Sequence, residues 1–284
     1  MEIIVAKSAG FCFGVKRAVD TVYSEIDKGD RIYTFGPIIH NSVVVSELER
    51  LGVKVIEDTE SFAGIRKGTV IIRSHGVSKD TYEALCSSGL TVVDATCPFV
   101  KKIHRIVEHD SAEGKCIVII GSRDHPEVCA IRGWCSPGNP AYVIENEQEA
   151  YDFFPKSSRD VTVVSQTTIR RAKFEDLVEI LRKKSYNVNV VNTICNATSE
   201  RQEEARKIAS EVDMMIVIGD CKSSNTQKLY EICSHECECT LYVQTSDDLK
   251  EVPSRSLRRV GITAGASTPK KTIEEVQNYV RINF

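Results

Sequence analysis

The chain has 284 residues, 42% of them apolar and 27% charged, with a formal net charge of −3. That balance belongs to an ordinary globular protein, and the scattered Lys and Arg argue against a nucleic-acid surface as its main business. No apolar run approaches the ~20 residues of a membrane span, and the N-terminus lacks a charged-then-apolar leader, so no membrane partner and a cytoplasmic location are expected.

In chain order, EIIVA (residues 2–6) reads as a strand, and GFCFGV (10–15) as a turn that presents Cys12 between two glycines before an amphipathic helix. RIYTFG is a second strand ending at Gly36. His40 and Asn41 follow, then the helix-like SVVVSELERLG. TVIIRSHGVS is a strand running into the loop Ser74–His75–Gly76, and DTYEALCSSG is a helix. The order then starts again. VVDATCPFVKKIHRIV carries Cys97, CIVIIG ends at Gly121, His125–Pro126–Glu127 opens a helix, VTVVSQTTI ends in Gln166–Thr167–Thr168, and FEDLVEILRKK closes. A third round brings Cys195 in VVNTICNATSERQEEA, Gly219 after MMIVI, Ser223–Ser224–Asn225, the loop Ala266–Ser267 and the helix TIEEVQNYV.

Gly36, Gly121 and Gly219 each lie 24 residues beyond a cysteine, and His40, His125 and Ser223 each lie 28 beyond. This is an internal repeat with a period near one third of the chain. Strands alternating with helices predict an α/β fold with mainly parallel sheets. Three similar units are expected: 13–96, 97–194 and 195–284. The third lacks a strand, and residues 1–12 supply an orphan strand to complete it. A pseudo-threefold arrangement of such units would bring the three cysteine-bearing turns together, since ligands gather at the carboxyl ends of parallel strands.

Eleven cysteines in a reducing compartment call for burial, redox chemistry or metal ligation rather than disulfides. In CSHECEC, the residues Cys233, His235, Cys237 and Cys239 crowd into seven positions without the loop that separates the ligand pairs of a zinc site. They read as a helix end running into a strand. Three converging thiolates would suit a Cys3His zinc site or a 4Fe–4S cluster with one iron left open. The polar loops, several of them opening helices, suit an anion, particularly phosphate. Neither a P-loop nor a G-x-G-x-x-G stretch is present. Glu127, two residues after His125, is the natural proton donor. Asp220 and Cys221 are read as incidental.

GFCFGV, His40–Asn41, SHGVS, DATCPFV, HPEV, SQTT, TICNAT, SSN and TAGAST, in register from Cys12 to Ser267, together resemble the LytB (IspH) family of 4-hydroxy-3-methylbut-2-enyl diphosphate reductases. The stretch GDCKSSN departs from the family pattern at Lys222, where members often carry Asn. The resemblance implies three α/β units around a 4Fe–4S cluster held by Cys12, Cys97 and Cys195. It implies a diphosphate bound by His40, His75, Ser223, Ser224, Asn225 and Ser267, with His125 and Thr167 near the substrate hydroxyl and Glu127 feeding the proton. The implied reaction is reductive dehydroxylation of an allylic diphosphate to isopentenyl and dimethylallyl diphosphate, the last step of the non-mevalonate isoprenoid route. A one-electron donor such as ferredoxin or flavodoxin is implied as partner. A non-redox iron–sulfur hydro-lyase acting on a phosphorylated substrate is the alternative, using the open iron only as a Lewis acid.

Overall fold

Short apolar runs bounded by turn residues become strands, and the longer amphipathic stretches between them become helices. The computed structural model describes residues 1–58, 60, 64–155, 160–184, 186–250 and 257–284. The strands described are β1 (Glu2–Val5), β2 (Ile32–Phe35), β3 (Lys54–Ile56), β4 (Thr69–Ile72), β5 (Thr91–Asp94), β6 (Cys116–Ile120), β7 (Tyr142–Ile144), β8 (Asp160–Ser165), β9 (Asn187–Val190), β10 (Met214–Ile218), β11 (Thr240–Val243) and β12 (Arg259–Ala264). The helices that matter below are α1 (Phe13–Ile26), α2 (Ser42–Arg50), α3 (Lys79–Ser87), α4 (Pro98–Ala112), α5 (Pro126–Arg132), α6 (Glu147–Asp152), α7 (Arg171–Arg182), α8 (Asn196–Ala209), α9 (Ser224–Glu236) and α10 (Lys270–Asn283).

The strands form three four-stranded sheets, all parallel, in the orders β1-β12-β10-β11, β3-β2-β4-β5 and β7-β6-β8-β9. Each begins at the edge strand that leads into a cysteine when written β1-β12-β10-β11, β5-β4-β2-β3 and β9-β8-β6-β7. The topology is therefore the same three times. The protein is α/β, as the strand–helix alternation predicted.

The chain divides into two compact units. One comprises residues 1–16, 39–47 and 196–284 and holds the first sheet. Here β1 pairs with β12 in the register Glu2↔Arg259 to Val5↔Ile262, so the orphan strand finds its partner in the C-terminal third. The MMIVI run of β10 is buried at every position because both faces of the sheet are covered. Met214, Ile216 and Ile218 pack with Ile273, Val276 and Val280 of α10, while Met215 and Val217 pack with Ala205, Ile208 and Leu229 from α8 and α9. Burial of each such side chain contributes about 1.5–3 kcal/mol.

The other unit comprises residues 17–38 and 48–195 and holds the remaining two sheets. The CIVII run of β6 repeats the two-sided pattern: Cys116, Val118 and Ile120 face Phe174 and Leu177 of α7, and Ile117 and Ile119 face Ile103, Val107, Val128 and Ile131 of α4 and α5. In the companion sheet Tyr33, Phe35, Val70 and Ile72 close over Leu85 of α3. The edge strand β9, NVNV, alternates between exposed and half-buried residues because successive side chains point to opposite faces, and only Val188 and Val190 pack against the core.

Candidate active site

Every polar loop singled out in the sequence lies at the carboxyl end of a parallel strand. In the unit built on β1-β12-β10-β11, the GFCFGV turn follows β1. Gly10 sits at φ +99°, and a Cβ there would lie 3.1 Å from Ile273 Cδ1, so only glycine fits without strain. The Glu204 carboxylate anchors the approach to this turn by accepting from the Lys7 and Ser8 backbone N–H groups, both at 2.8 Å. The Cys12 N–H then donates to the Ala266 carbonyl at 3.2 Å.

The same bond recurs in the other unit. The Cys97 N–H donates to the Ser74 carbonyl at 3.0 Å and the Cys195 N–H to the Thr167 carbonyl at 3.1 Å. In all three cases the acceptor lies two residues past the end of the neighbouring strand, β12, β4 or β8. All three cysteines are half-buried, and each immediately precedes a helix, α1, α4 or α8. There the backbone N–H groups and the helix dipole favour an anionic ligand. None of the eleven cysteines is in a disulfide. By contrast, Cys233 and Cys237 belong to a hydrophobic core. Burial chiefly pushes the Cys233 thiol up to about 12. CSHECEC is the end of α9 running into β11, and its buried thiols stay protonated.

Around Cys12 the unit knits three loops together. The Asn41 amide donates to the Ser267 carbonyl at 2.9 Å, and the Ser267 hydroxyl donates to the His40 carbonyl at 2.9 Å. Asn41 Oδ1 accepts from the Val44 N–H at 3.1 Å and caps α2. Ser223 caps α9, its hydroxyl accepting from the Thr226 N–H at 3.3 Å. Asn225 is 4% exposed, yet neither polar atom of its side chain has a hydrogen-bond partner among the described residues. A buried amide left without a protein partner calls for one from outside the chain, a water or a ligand.

Asp220, read as incidental from the sequence, is at the centre of this network. One carboxylate oxygen accepts from the Ser42 N–H and hydroxyl, both at 2.8 Å, and the other accepts from the Lys222 N–H at 2.8 Å. Asp two residues before an N–H is an Asx-turn signature, but the second partner, Ser42, is 178 residues away and invisible in the local pattern.

In the unit holding β4, β6 and β8, the Ser74 N–H and hydroxyl both donate to the Ile38 carbonyl, at 3.2 and 3.1 Å. Gly76 has φ +76°, and a Cβ there would lie 2.7 Å from His104 Cε1, so the loop bearing His75 presses directly on α4. His104 in turn stacks on Trp134 with ring centroids 5.1 Å apart, and the Trp134 indole N–H donates to the Val77 carbonyl at 2.8 Å. Sequence reading missed both residues.

His75 and His125 meet edge to face, with centroids 5.5 Å apart. His125 Nδ1 accepts from the Glu127 N–H at 3.1 Å as the N-cap of α5, which fixes the tautomer with its proton on Nε2. The Glu127 carboxyl group is 3% exposed. It accepts from the Thr167 N–H at 2.6 Å and from the Thr167 hydroxyl at 2.8 Å. Burial pushes its pKa above the ordinary carboxyl range, and the two bonds from Thr167 only partly oppose this. Thr167 therefore links Glu127 to the Cys195 backbone.

The LytB protein family model matches residues 3–281. The chain belongs to the LytB family. Its relatives include the 4-hydroxy-3-methylbut-2-enyl diphosphate reductase of Caldanaerobacter subterraneus subsp. tengcongensis, 46% identical over 280 residues, covering 97% of this chain and 95% of that one. The enzyme of the same description from Geobacter sulfurreducens is 45% identical over 276 residues, again covering 97% and 95%. Among solved structures, (E)-4-hydroxy-3-methyl-but-2-enyl diphosphate reductase, the terminal enzyme of the non-mevalonate pathway, matches with a TM-score of 0.71 at 40% identity, covering 99% of this chain and all of that one. The E-1-hydroxy-2-methyl-but-2-enyl-4-diphosphate reductase from Plasmodium falciparum gives a TM-score of 0.89 at 29% identity, covering 99% and 87%. Among the described residues of this LytB protein, no helix is long and apolar enough to cross a membrane.

Proposed function

We propose that this LytB protein is the iron–sulfur oxidoreductase that converts 4-hydroxy-3-methylbut-2-enyl diphosphate to isopentenyl and dimethylallyl diphosphate. Its sequence units, 13–96, 97–194 and 195–284 with 1–12, would each bring one ligand, Cys12, Cys97 or Cys195, to a shared 4Fe–4S cluster in a pseudo-threefold arrangement. The donor set fits such a group: three half-buried thiols at helix N-termini, each anchored by the same backbone bond to a strand-end loop. When bound, the cluster supplies the electrons and an open, Lewis-acidic iron. A one-electron donor such as ferredoxin or flavodoxin would replenish it. The substrate class accords with a cytoplasmic enzyme.

The chain's own residues bind the diphosphate and manage the proton. Asn225, with both polar atoms unspent, together with Ser223, Ser224, His40, His75 and Ser267, supplies donors to the diphosphate oxygens. His125 and Thr167 border the substrate hydroxyl. Burial raises the Glu127 pKa and so favours its protonated form, from which it hands the proton to the departing oxygen, which leaves as water. A second proton enters at either end of the allyl fragment, giving the two products. The two electrons and two protons balance the loss of the hydroxyl.

The observation that carries this reading is the Glu127–Thr167–Cys195 chain. One threonine positions the proton donor through its N–H and hydroxyl and a proposed cluster ligand through its carbonyl. Titrating anaerobically purified protein with the hydroxylated diphosphate and dithionite tests it. Products should form from wild type, and single turnover by Glu127→Gln should stall with the cluster spectrum intact. Normal turnover by that variant would remove Glu127 from the reaction.

A further inference from the structure

Asp220 is 3% exposed and bonds to both of the loops assigned above to an anion, at Ser42 and at Lys222. A buried carboxylate there runs against simple electrostatics, because it repels a diphosphate. The repeat does not require it: the equivalent positions, 25 residues beyond Cys12 and Cys97, carry Pro37 and Ser122. Its bonds explain its presence. It satisfies the Ser42 N–H, a first-turn donor of α2 left over by the Asn41 cap, and the Ser42 hydroxyl. It also closes the turn at Lys222 that leads into Ser223–Ser224–Asn225, while Gln244 Nε2 approaches from outside at 3.3 Å. The Tyr242 hydroxyl fixes the Asp220 backbone by donating to its carbonyl at 2.7 Å.

We propose that Asp220 is a positioning residue for diphosphate binding, its carboxylate locking the His40–Asn41–Ser42 loop and the Lys222–Asn225 turn at one spacing so that their donors converge on the same anion. This rests on the assignment of the diphosphate to Ser223, Ser224, Asn225, His40 and Ser267. Only a carboxylate serves, since it accepts at both oxygens and carries no donor. Asparagine has the same shape but in either orientation turns an NH2 group toward an N–H, at Ser42 or at Lys222. The hydrogen bonds from Lys222 and Ser42 outweigh the burial that would raise the Asp220 pKa, so it is lowered and the group stays ionised.

Asp220→Asn separates the two roles because they act in opposite directions. Removing a negative charge from an anion site should tighten diphosphate binding, whereas releasing the two loops should weaken it. With the cluster-loaded enzyme, the expected result is a KM for the hydroxylated diphosphate raised about tenfold, as for loss of a charged hydrogen bond, with kcat within about threefold. Cluster absorbance per chain should be unchanged, and inhibition by inorganic diphosphate should weaken in parallel. Ser42→Ala, which keeps the backbone bond, should move KM the same way by about threefold; it decides the matter by the same readout if Asp220→Asn does not accumulate folded. Asn225→Ala checks the underlying assignment. If it raises KM while Asp220→Asn leaves KM unchanged or lowers it, the positioning role is overturned. If neither changes KM, the diphosphate assignment falls and the proposal with it.

Discussion

Glu127 shows how surroundings fit one side chain for its proposed role as proton donor. Burial holds its pKa up, so it keeps its proton to higher pH than an ordinary glutamate, and kcat is expected to decline as pH rises through that value. Glu127→Gln should lower kcat by about 10²–10⁴-fold, remove this alkaline limb and leave KM nearly unchanged. A stopped-flow pH profile checks all three. His104 behaves in the opposite sense. Burial chiefly lowers its pKa to about 4, with Asp94 opposing and Lys101 assisting. The unfolded chain therefore binds a proton, near an ordinary pKa of about 6.5, that the folded chain refuses. Stability from this group is fully present above pH about 6.5 and falls as the pH drops toward 4, by up to about 3 kcal/mol. His104→Phe, which keeps a ring against Trp134, should flatten the fall in Tm between those pH values relative to wild type. Parallel curves would refute it. Glu127 was legible as a candidate proton donor from its place after His125; the His104–Trp134 stack was not, because a histidine in an amphipathic helix carries no local mark of what it packs against.

The cysteine-bearing turns are the elements on which chemistry and fold meet. Cys12→Ser, Cys97→Ser and Cys195→Ser should each lose most of the iron and the visible absorbance, whereas Cys233→Ala should keep both and cost about 1–2 kcal/mol through the small cavity it leaves. Iron analysis beside thermal melts distinguishes the outcomes, and iron loss in Cys233→Ala with retention in Cys195→Ser would reverse the ligand assignment. The strand β1 allows a second test. It pairs with β12, so deleting residues 1–6 uncovers the β12 edge and removes the packing of Ile3 and Val5, a loss on the order of 3 kcal/mol. Amide exchange should quicken in Arg259–Ala264 and stay unchanged in Thr69–Ile72; the reverse pattern would be incompatible with the observed pairing. That pairing could be read from the sequence because the third repeat lacked a strand and the first residues supplied one. The 24- and 28-residue spacings likewise exposed the strand-end loops. What they could not expose is contact between loops far apart in sequence. Asp220 bonds to Ser42, and only the folded chain brings an aspartate after β10 to the first turn of α2.

At the scale of the whole molecule, one strand order built three times yields three strand-end loops, and each fixes a cysteine by the same backbone bond. The repeated fold thus offers three like cysteines as the proposed ligands, while the differences between repeats carry the proposed asymmetric chemistry. Only the second repeat has a carboxyl group two residues after its +28 position, at Glu127, and only the third has the Asp220 bracket. The most direct measurement counts electrons. Anaerobic protein with its iron–sulfur absorbance intact is mixed with the hydroxylated diphosphate and a known amount of dithionite, and products are quantified against reductant consumed. Two electrons should be consumed per molecule of isopentenyl plus dimethylallyl diphosphate formed, with no product from Cys195→Ser. Conversion of the substrate with no reductant consumed would instead make the protein a hydro-lyase, and a colourless, zinc-loaded protein would contradict the redox centre itself.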